Sequence, residues 1–242
     1  MLKNFMRKGK TICIIPFFNE ENTLERTVNI AIASNEFVGI ILVDDGSKDT
    51  SFEVANEIVL REKKEALVLI RNPLNMGKGQ TMINGYKAAR KVFDFDRVMF
   101  LDSDLVGFTT NHIREILDEI DLGYGMVLGH YDWRANRKYI ENFSTYLFCT
   151  IWFPIVKQFT GERCLKKEIM EDCINRHSEL FQNYGAEIVL NEVCKKMKLS
   201  MTYVELDGFY ALAKQEKFGF LDGTLKNIKM FLEIIKKRIK LM

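Results

Sequence analysis

Two carboxylates one residue apart, Asp102 and Asp104 in FLDSDL, follow directly on the apolar run RVMFL. At the end of a strand this spacing brings both to one point without a long excursion of backbone, with Ser103 between them at the same edge. Paired hard oxygens of this kind suit Mg²⁺ or Mn²⁺, which commonly share such ligands with substrate phosphates. A cation there would neutralise charge building on a departing diphosphate. Taken alone the triplet also fits a solvated turn. Its place behind a buried-strand pattern favours metal and diphosphate.

Two further motifs carry chemistry. In VDDGSKDT, Asp44 and Asp45 end a strand, and Gly46 and Ser47 turn the chain into a helix. Carboxylates at such an edge can accept hydrogen bonds from a ribose or a nucleobase. The same residues also make an ordinary Asp-Gly turn with Thr50 as a helix cap. In RNPLNMGKGQT, Gly77 and Gly79 flank Lys78 at a helix start, an arrangement suited to phosphate or nucleobase contact. The chain lacks both G-x-x-x-x-G-K-[ST] and a G-x-G-x-x-G after its first strand, which disfavours a nucleotide hydrolase or a dehydrogenase.

The elements that must position these residues are legible as apolar runs: TICIIP, VGIILVDD, ALVLIR, RVMFLD and GMVLGH. The first three are each followed by a polar turn and an amphipathic stretch, the βαβ pattern of a parallel sheet covered by helices. Asn22 with Glu25, and Thr50 with Glu53, predict capped helix starts just beyond the first two strands. Ligands of open α/β sheets bind outside the carboxyl ends of the strands. Asn19, Glu20, Asp44, Asp45, Arg71, Asn75, Lys78, Asp102 and Asp104 therefore converge on one rim. From Lys138 the alternation stops. A long, mostly helical reading runs to Phe159, followed by a helix beginning near Leu165, a helix over Glu187–Lys198 and a strand SMTYVEL.

The last segment, residues 224–242, places Ile, Phe and Leu at helical spacing among Lys and Arg, the pattern of a basic amphipathic helix. It could meet an anionic membrane, at about 1 kcal/mol per exposed base, or pack on the domain or on a second subunit in a homodimer. The apolar stretch from Phe143 to Val156 contains Pro154 and is shorter than the roughly 20 residues needed to span a bilayer.

With 242 residues and 47% hydrophobic content, the chain supports one sizeable domain with a C-terminal appendage. A formal charge of +2 offers no basic surplus for duplex nucleic acid. Cys13, Cys149, Cys164, Cys173 and Cys194 are scattered and odd in number, without C-x-x-C pairs. That argues against a disulfide framework or a zinc site and fits a reducing cytoplasm. The start, MLKNFMRKGK, lacks the features of a signal peptide.

Taken in order, PFFNEENTLERTV, VDDGSKDTS, NPLNMGKGQTMINGYKAA and LDSDL resemble the nucleotide-binding half of the family 2 type glycosyltransferases of the GT-A fold, over roughly residues 10–130. The resemblance implies an α/β domain over residues 1–223, with a mostly parallel sheet, helices on both faces and an acceptor half over 131–223. It implies that Pro16 opens the donor pocket, Glu20 and Asp45 or Asp44 meet the nucleoside, Lys78 lies near the base, and Asp102 and Asp104 bind metal and diphosphate. The donor would be a nucleotide diphosphate sugar, with UDP favoured by family frequency, and the acceptor a small anion or a lipid phosphate at the inner membrane face.

FTGERCLKKEI, YGAEIVLNEVCKKMKLSMTYVEL and KQEKFGFLDG look like the acceptor half of the glucosyl-3-phosphoglycerate synthase branch. By that likeness Gly161, Glu162 and Arg163 line the acceptor or donor-sugar site, and Glu187 sits beside the reacting centre. Arg163, Lys166 and Lys167 are expected near the acceptor side, where they suit an anionic acceptor. In an inverting enzyme Glu187 would be the general base; in a retaining one it would only orient substrate. Members of the branch often complete the metal site with a late histidine, absent from LDGFYALAKQEK, so phosphate, water or His130 would substitute. A nucleotide-sugar-binding protein without transfer and a nucleotidyltransferase are the competing readings.

Overall fold

The computed structural model describes residues 9–130, 160–181, 185–208 and 210–211. Strands β1 (Thr11–Phe17), β2 (Gly39–Asp44) and β3 (Leu67–Arg71) alternate with helices α1 (Leu24–Ser34), α2 (Ser51–Glu62) and α3 (Lys78–Val92). Strand β4 (Arg97–Phe100), the short β5 (Leu105–Val106), helix α4 (Thr110–Asp121) and β6 (Met126–His130) follow. The second half supplies β7 (Arg163–Lys166), α5 (Lys167–His177), a 3₁₀ turn at Ser178–Phe181, α6 (Ala186–Lys196), β8 (Met201–Glu205) and β9 (Tyr210–Ala211).

Seven strands form one sheet in the order β3-β2-β1-β4-β7-β6-β8, and β5 pairs with β9. Neighbours are parallel except at β7, which runs antiparallel to both β4 and β6. The two-residue period of a strand divides the core. Ile12 and Ile14 of β1 face α3, α5 and α6, whereas Cys13 and Ile15 face α1, α2 and α4. Gly85 allows α3 to lie close on the sheet, because a Cβ there would stand 2.7 Å from the Ile14 side chain and 2.9 Å from that of Val43. Helices thus cover both faces, as expected.

Three local expectations are corrected. The helix expected near Leu165 begins at Lys167, and RCLK is instead a strand inserted between β4 and β6. Cys164 and Leu165 bury themselves in the cores on opposite faces, which a helix cannot do with adjacent residues. Helices α1 and α2 start without a side-chain cap bond. The cap position of α1 is Thr23, one residue after the expected Asn22, and both cap-position hydroxyls serve the loops: Thr23 donates to the Glu20 carboxylate at 2.8 Å and Thr50 to that of Glu21 at 2.6 Å. A capping box forms at α4, between Thr109 and His112. Finally, Lys166 lies at the far end of β7 from the rim, opposite Arg97 at the start of β4, because β7 is antiparallel.

The expected helix over Lys138–Phe159, the stretch Phe143–Val156, the tail 224–242 and most of LDGFYALAKQEK lie outside the described residues. Among the described residues no helix is long and apolar enough to cross a membrane.

Candidate active site

Strand order reverses at β1, with β2 and β3 on one side and β4 on the other, and a crevice opens where such neighbours part. The β1–β4 ladder ends at Ile14 opposite Phe100, with one further bond from the Leu101 N–H to the Ile14 carbonyl at 3.2 Å. The backbone of Pro16, two residues on, faces this same edge. β4 has already turned away there, so its missing N–H forfeits no ladder bond. Pro16 therefore sits buried at the mouth of the crevice.

On the β2 side, the carboxylates of Asp44 and Asp45 build the rim. Asp44 is fully buried; it accepts from the Ser47 N–H at 2.9 Å and pairs with the Arg71 guanidinium at 2.9 Å. Arg71 also donates to the Ser47 carbonyl at 2.9 Å and lies over the Phe52 ring. Asp45 accepts from the N–H groups of Met76 at 2.8 Å and Gly77 at 2.9 Å, and from Asn72 at 2.8 Å. It thereby holds the loop that delivers Lys78. Asn19, in the left-handed region at φ 54°, links the first rim loop to this one: its N–H donates to the Ser47 hydroxyl at 3.0 Å, and its side chain accepts from the Lys48 N–H at 2.9 Å. Glu20 is tied to α2 through the Ser51 hydroxyl at 2.7 Å. Asn75 lies exposed on the loop itself.

Across the crevice, three elements meet at one lysine. Lys78, the first residue of α3, reaches Asp102 at 2.7 Å and Glu187, in the first turn of α6, at 2.9 Å. Both flanking glycines are required. Gly77 has φ 84°, and a Cβ at Gly79 would collide with the Phe181 carbonyl. A Cβ at Gly161 would likewise strike the Asp102 carboxylate, so Gly161 leaves the space in which that carboxylate stands. Ser103 turns inward, its carbonyl accepting from Thr27 at 3.3 Å.

Behind Asp102 lies a buried polar group. Arg163, expected toward the acceptor, has no exposed surface and points inward. It donates to the Glu187 carbonyl at 3.1 Å, to Asn191 at 3.0 Å and to the Thr160 carbonyl. It fixes the start of α6 and hence Glu187. Glu162 is 2% exposed and lies 2.6 Å from the Thr160 hydroxyl, which also contacts the Gly129 carbonyl at 2.5 Å. One hydroxyl proton cannot serve both oxygens. A protonated Glu162 donating to Thr160, which donates in turn to Gly129, satisfies the chain.

The electrostatics agree. Burial, followed by the nearby Asp102, pushes the Glu162 carboxyl up to about 7. Burial raises Asp102 as well, opposed by Lys78 and reinforced by Asp104. Burial would also raise Glu187, but Lys78 and Arg163 outweigh it and bring its carboxyl down to about 2. For Lys78, burial is overcome by Asp102 and Glu187, which hold it protonated well above its ordinary range. Four carboxyl groups thus act on one another against two cations, and Glu162 Oε1 is buried without a hydrogen-bond partner.

This acid-rich set of hard oxygens, with one of them orphaned, fits a divalent cation. Among the described residues no three His, Cys, Asp or Glu side chains are arranged to hold a metal by themselves, so other ligands would have to complete its shell. The His130 ring packs against Tyr203 of β8.

Sequence reading did not single out Asn72, Thr160 or Asn191. Asn72 follows the last residue of β3 directly and so satisfied the same rim rule as Arg71. Asn191 stands four residues after Glu187 and so shares its helix face. Thr160 had no comparable signal.

The Glycosyl transferase family 2 model matches residues 12–177. An undecaprenyl-phosphate 4-deoxy-4-formamido-L-arabinose transferase of Proteus mirabilis (strain HI4320) is 30% identical over 130 residues, covering 52% of this chain and 38% of that protein. Its counterpart in Edwardsiella ictaluri (strain 93-146) is 30% identical over 118 residues, covering 47% and 34%. The match therefore spans only about a third of these relatives' length. Glucosyl-3-phosphoglycerate synthase from Mycobacterium tuberculosis, solved with Mn²⁺, UDP and phosphoglyceric acid, superposes with a TM-score of 0.65 at 18% identity, covering 97% of this chain and 78% of that one. Its complex with Mg²⁺ and UDP gives 0.62 at 16%, covering 97% and 79%. At such identity the likeness establishes the fold, which is GT-A. With its motifs gathered at the ligand crevice of that fold and most of its length inside the family model, the chain belongs to glycosyl transferase family 2.

Proposed function

We propose that the chain is a metal-dependent glycosyltransferase that moves a sugar from a nucleotide diphosphate sugar, with UDP as the nucleotide, to a small anionic or lipid-phosphate acceptor. The observation that carries this reading is the meeting of Lys78, Asp102 and Glu187 at the crevice between β1 and β4. It combines a cation for phosphate, carboxylates for metal and a carboxylate beside the reacting carbon in one place.

In this reading the nucleoside enters past Pro16 and Glu20, along the loop that Asp44 and Asp45 hold in place. The diphosphate lies at the N-termini of α3 and α6, whose free N–H groups and dipoles favour anions. Asp102 and Asp104 hold Mg²⁺ or Mn²⁺, which when bound neutralises the charge of the leaving diphosphate. Lys78 contributes to the same neutralisation from α3.

Glu187 orients the sugar or, with inversion, takes the acceptor proton. Paired with Lys78 its carboxyl lies near 2, far from the neutral range in which a general base is most effective. A base role therefore requires Lys78 to turn away when substrate is bound. Gly161 and Glu162 border the acceptor side. Arg163 acts through Glu187, by fixing the start of α6.

The acceptor chemistry follows that of similar proteins, phosphoglyceric acid for one and undecaprenyl phosphate for the other. A lipid acceptor would place the chain at the inner face of a membrane, with the 224–242 tail facing anionic lipid.

The test is incubation of the protein with UDP-glucose and Mn²⁺, separately with phosphoglycerate and with undecaprenyl phosphate in vesicles. Acceptor-dependent release of UDP supports transfer. An intact donor in both, with no slow hydrolysis to water, points to a binding protein and sinks the proposal.

A further inference from the structure

We infer that Lys78 is a resident counter-ion that occupies the metal's place on Asp102 until a nucleotide diphosphate draws it away, so that metal and nucleotide enter together. This rests on the donor-site reading above and adds the order of events.

Lys78 is placed against the electrostatics of its own helix. It is the first residue of α3, at the positive end of the dipole, and that first turn contains no acidic residue. What holds it is the pair of carboxylates outside the helix, Asp102 at 2.7 Å and Glu187 at 2.9 Å. Asp102 has little freedom to serve a second cation at the same time. Gly161 backs directly onto its carboxylate, and Glu162, with its unpartnered Oε1, lies behind. A metal approaching Asp102 must therefore compete with an ammonium already in contact.

Two carboxylates are also too few to complete a metal shell, and no third His, Cys, Asp or Glu among the described residues joins them. A diphosphate resolves both difficulties. Its oxygens complete the metal's ligands, and they offer Lys78 a partner with which to leave Asp102. The Lys78 side chain keeps 33% of its surface exposed, so it is not sealed away from an entering ligand.

The experiment measures Mn²⁺ binding to the full chain from the electron paramagnetic resonance of free Mn²⁺, with and without UDP. It compares the natural protein with Lys78→Met and Lys78→Gln, their folding checked by circular dichroism. The natural protein should bind Mn²⁺ at least about tenfold more weakly alone than with UDP, within the usual range of coupling between sites. In either folded variant Mn²⁺ alone should bind about tenfold tighter than in the natural protein. Equal or weaker binding of Mn²⁺ alone to a folded variant overturns the inference and leaves the donor site standing. If neither variant folds, the natural protein decides, since Mn²⁺ that binds equally well with and without UDP overturns it. Absence of any Mn²⁺–UDP binding to the natural protein overturns the donor-site reading along with it.

Discussion

At the end of β2 the carboxylates of Asp44 and Asp45 are buried and surrounded by donors, three N–H groups on Asp45 alone. At the end of β4 the Asp102 carboxylate meets a single lysine, and Glu162 behind it keeps an oxygen without a hydrogen-bond partner. Asp45 is complete without any ligand and spends its charge on loop geometry, while Asp44 leans on the Arg71 ion pair and its Oδ2 makes no hydrogen bond. The β4 end carries more negative charge than its cations balance, a state that costs stability in a partly dry crevice and that a bound cation relieves. Asp45, which builds the loop, and Asp102, proposed to receive the metal, thus differ in how fully the protein itself satisfies them.

The largest effect expected on the unsatisfied side is at Glu187. Replacement with Gln keeps the size and removes the basicity, so a base role requires turnover to fall by roughly 10²–10⁴ while donor affinity stays nearly unchanged. Near-normal turnover in single-turnover kinetics excludes the role, and NMR of the product's anomeric configuration tells inversion from retention.

Glu162 gives the next effect, in stability against pH. Its carboxyl is raised from 4.5 to about 7, so the contribution of neutral Glu162 is fully present below pH 4.5 and is lost as pH rises to about 7. A shift of that size sets a ceiling of roughly 3 kcal/mol. Denaturant unfolding without metal should show the natural protein weakening from pH 4.5 to 7 relative to Glu162→Gln. Parallel curves would show that Glu162 is not held neutral.

The satisfied side should respond more strongly to loss of charge. In Asp45→Asn one amide N–H must face the Met76 or Gly77 N–H, at a cost of about 1–3 kcal/mol. Asp102→Asn should change stability by less than about 1 kcal/mol, because its carboxyl is already raised by burial and its partly exposed pair with Lys78 is screened. Urea midpoints compare the two directly. An Asp102→Asn variant losing as much as Asp45→Asn would erase the distinction drawn above. The smallest effect belongs to Thr50→Ala, within about 0.5 kcal/mol, since this residue makes no cap bond and its hydroxyl serves only an exposed contact to Glu21.

Much of this architecture was legible from period and spacing. The apolar runs that became β1 to β4 and β6 end on the rim residues, and their alternation decided which face each side chain entered. Strand β7 was not legible, because four residues flanked by charge read equally well as a helix start. Missing it concealed two consequences: Arg163 points inward, and Lys166 lies at the other end of the sheet. Local pattern could not reveal either, since both depend on β7 pairing with strands more than thirty residues away. The two acidic pairs also read alike as sequence. VDDGS and LDSDL each end an apolar run, and only the loop folding back from Asn72 to Gly77 distinguishes the saturated Asp45 from Asp102, which meets a lysine alone.

The central claim, that the rim at β4 receives metal and nucleotide diphosphate, is tested most directly by calorimetric titration with UDP. The natural protein and Asp102→Asn would each be titrated in Mn²⁺ and in EDTA. The account predicts binding by the natural protein that strengthens in Mn²⁺, and loss of that metal-dependent gain in Asp102→Asn while the variant remains folded. UDP binding that ignores Mn²⁺, or that Asp102→Asn leaves unchanged, would contradict it.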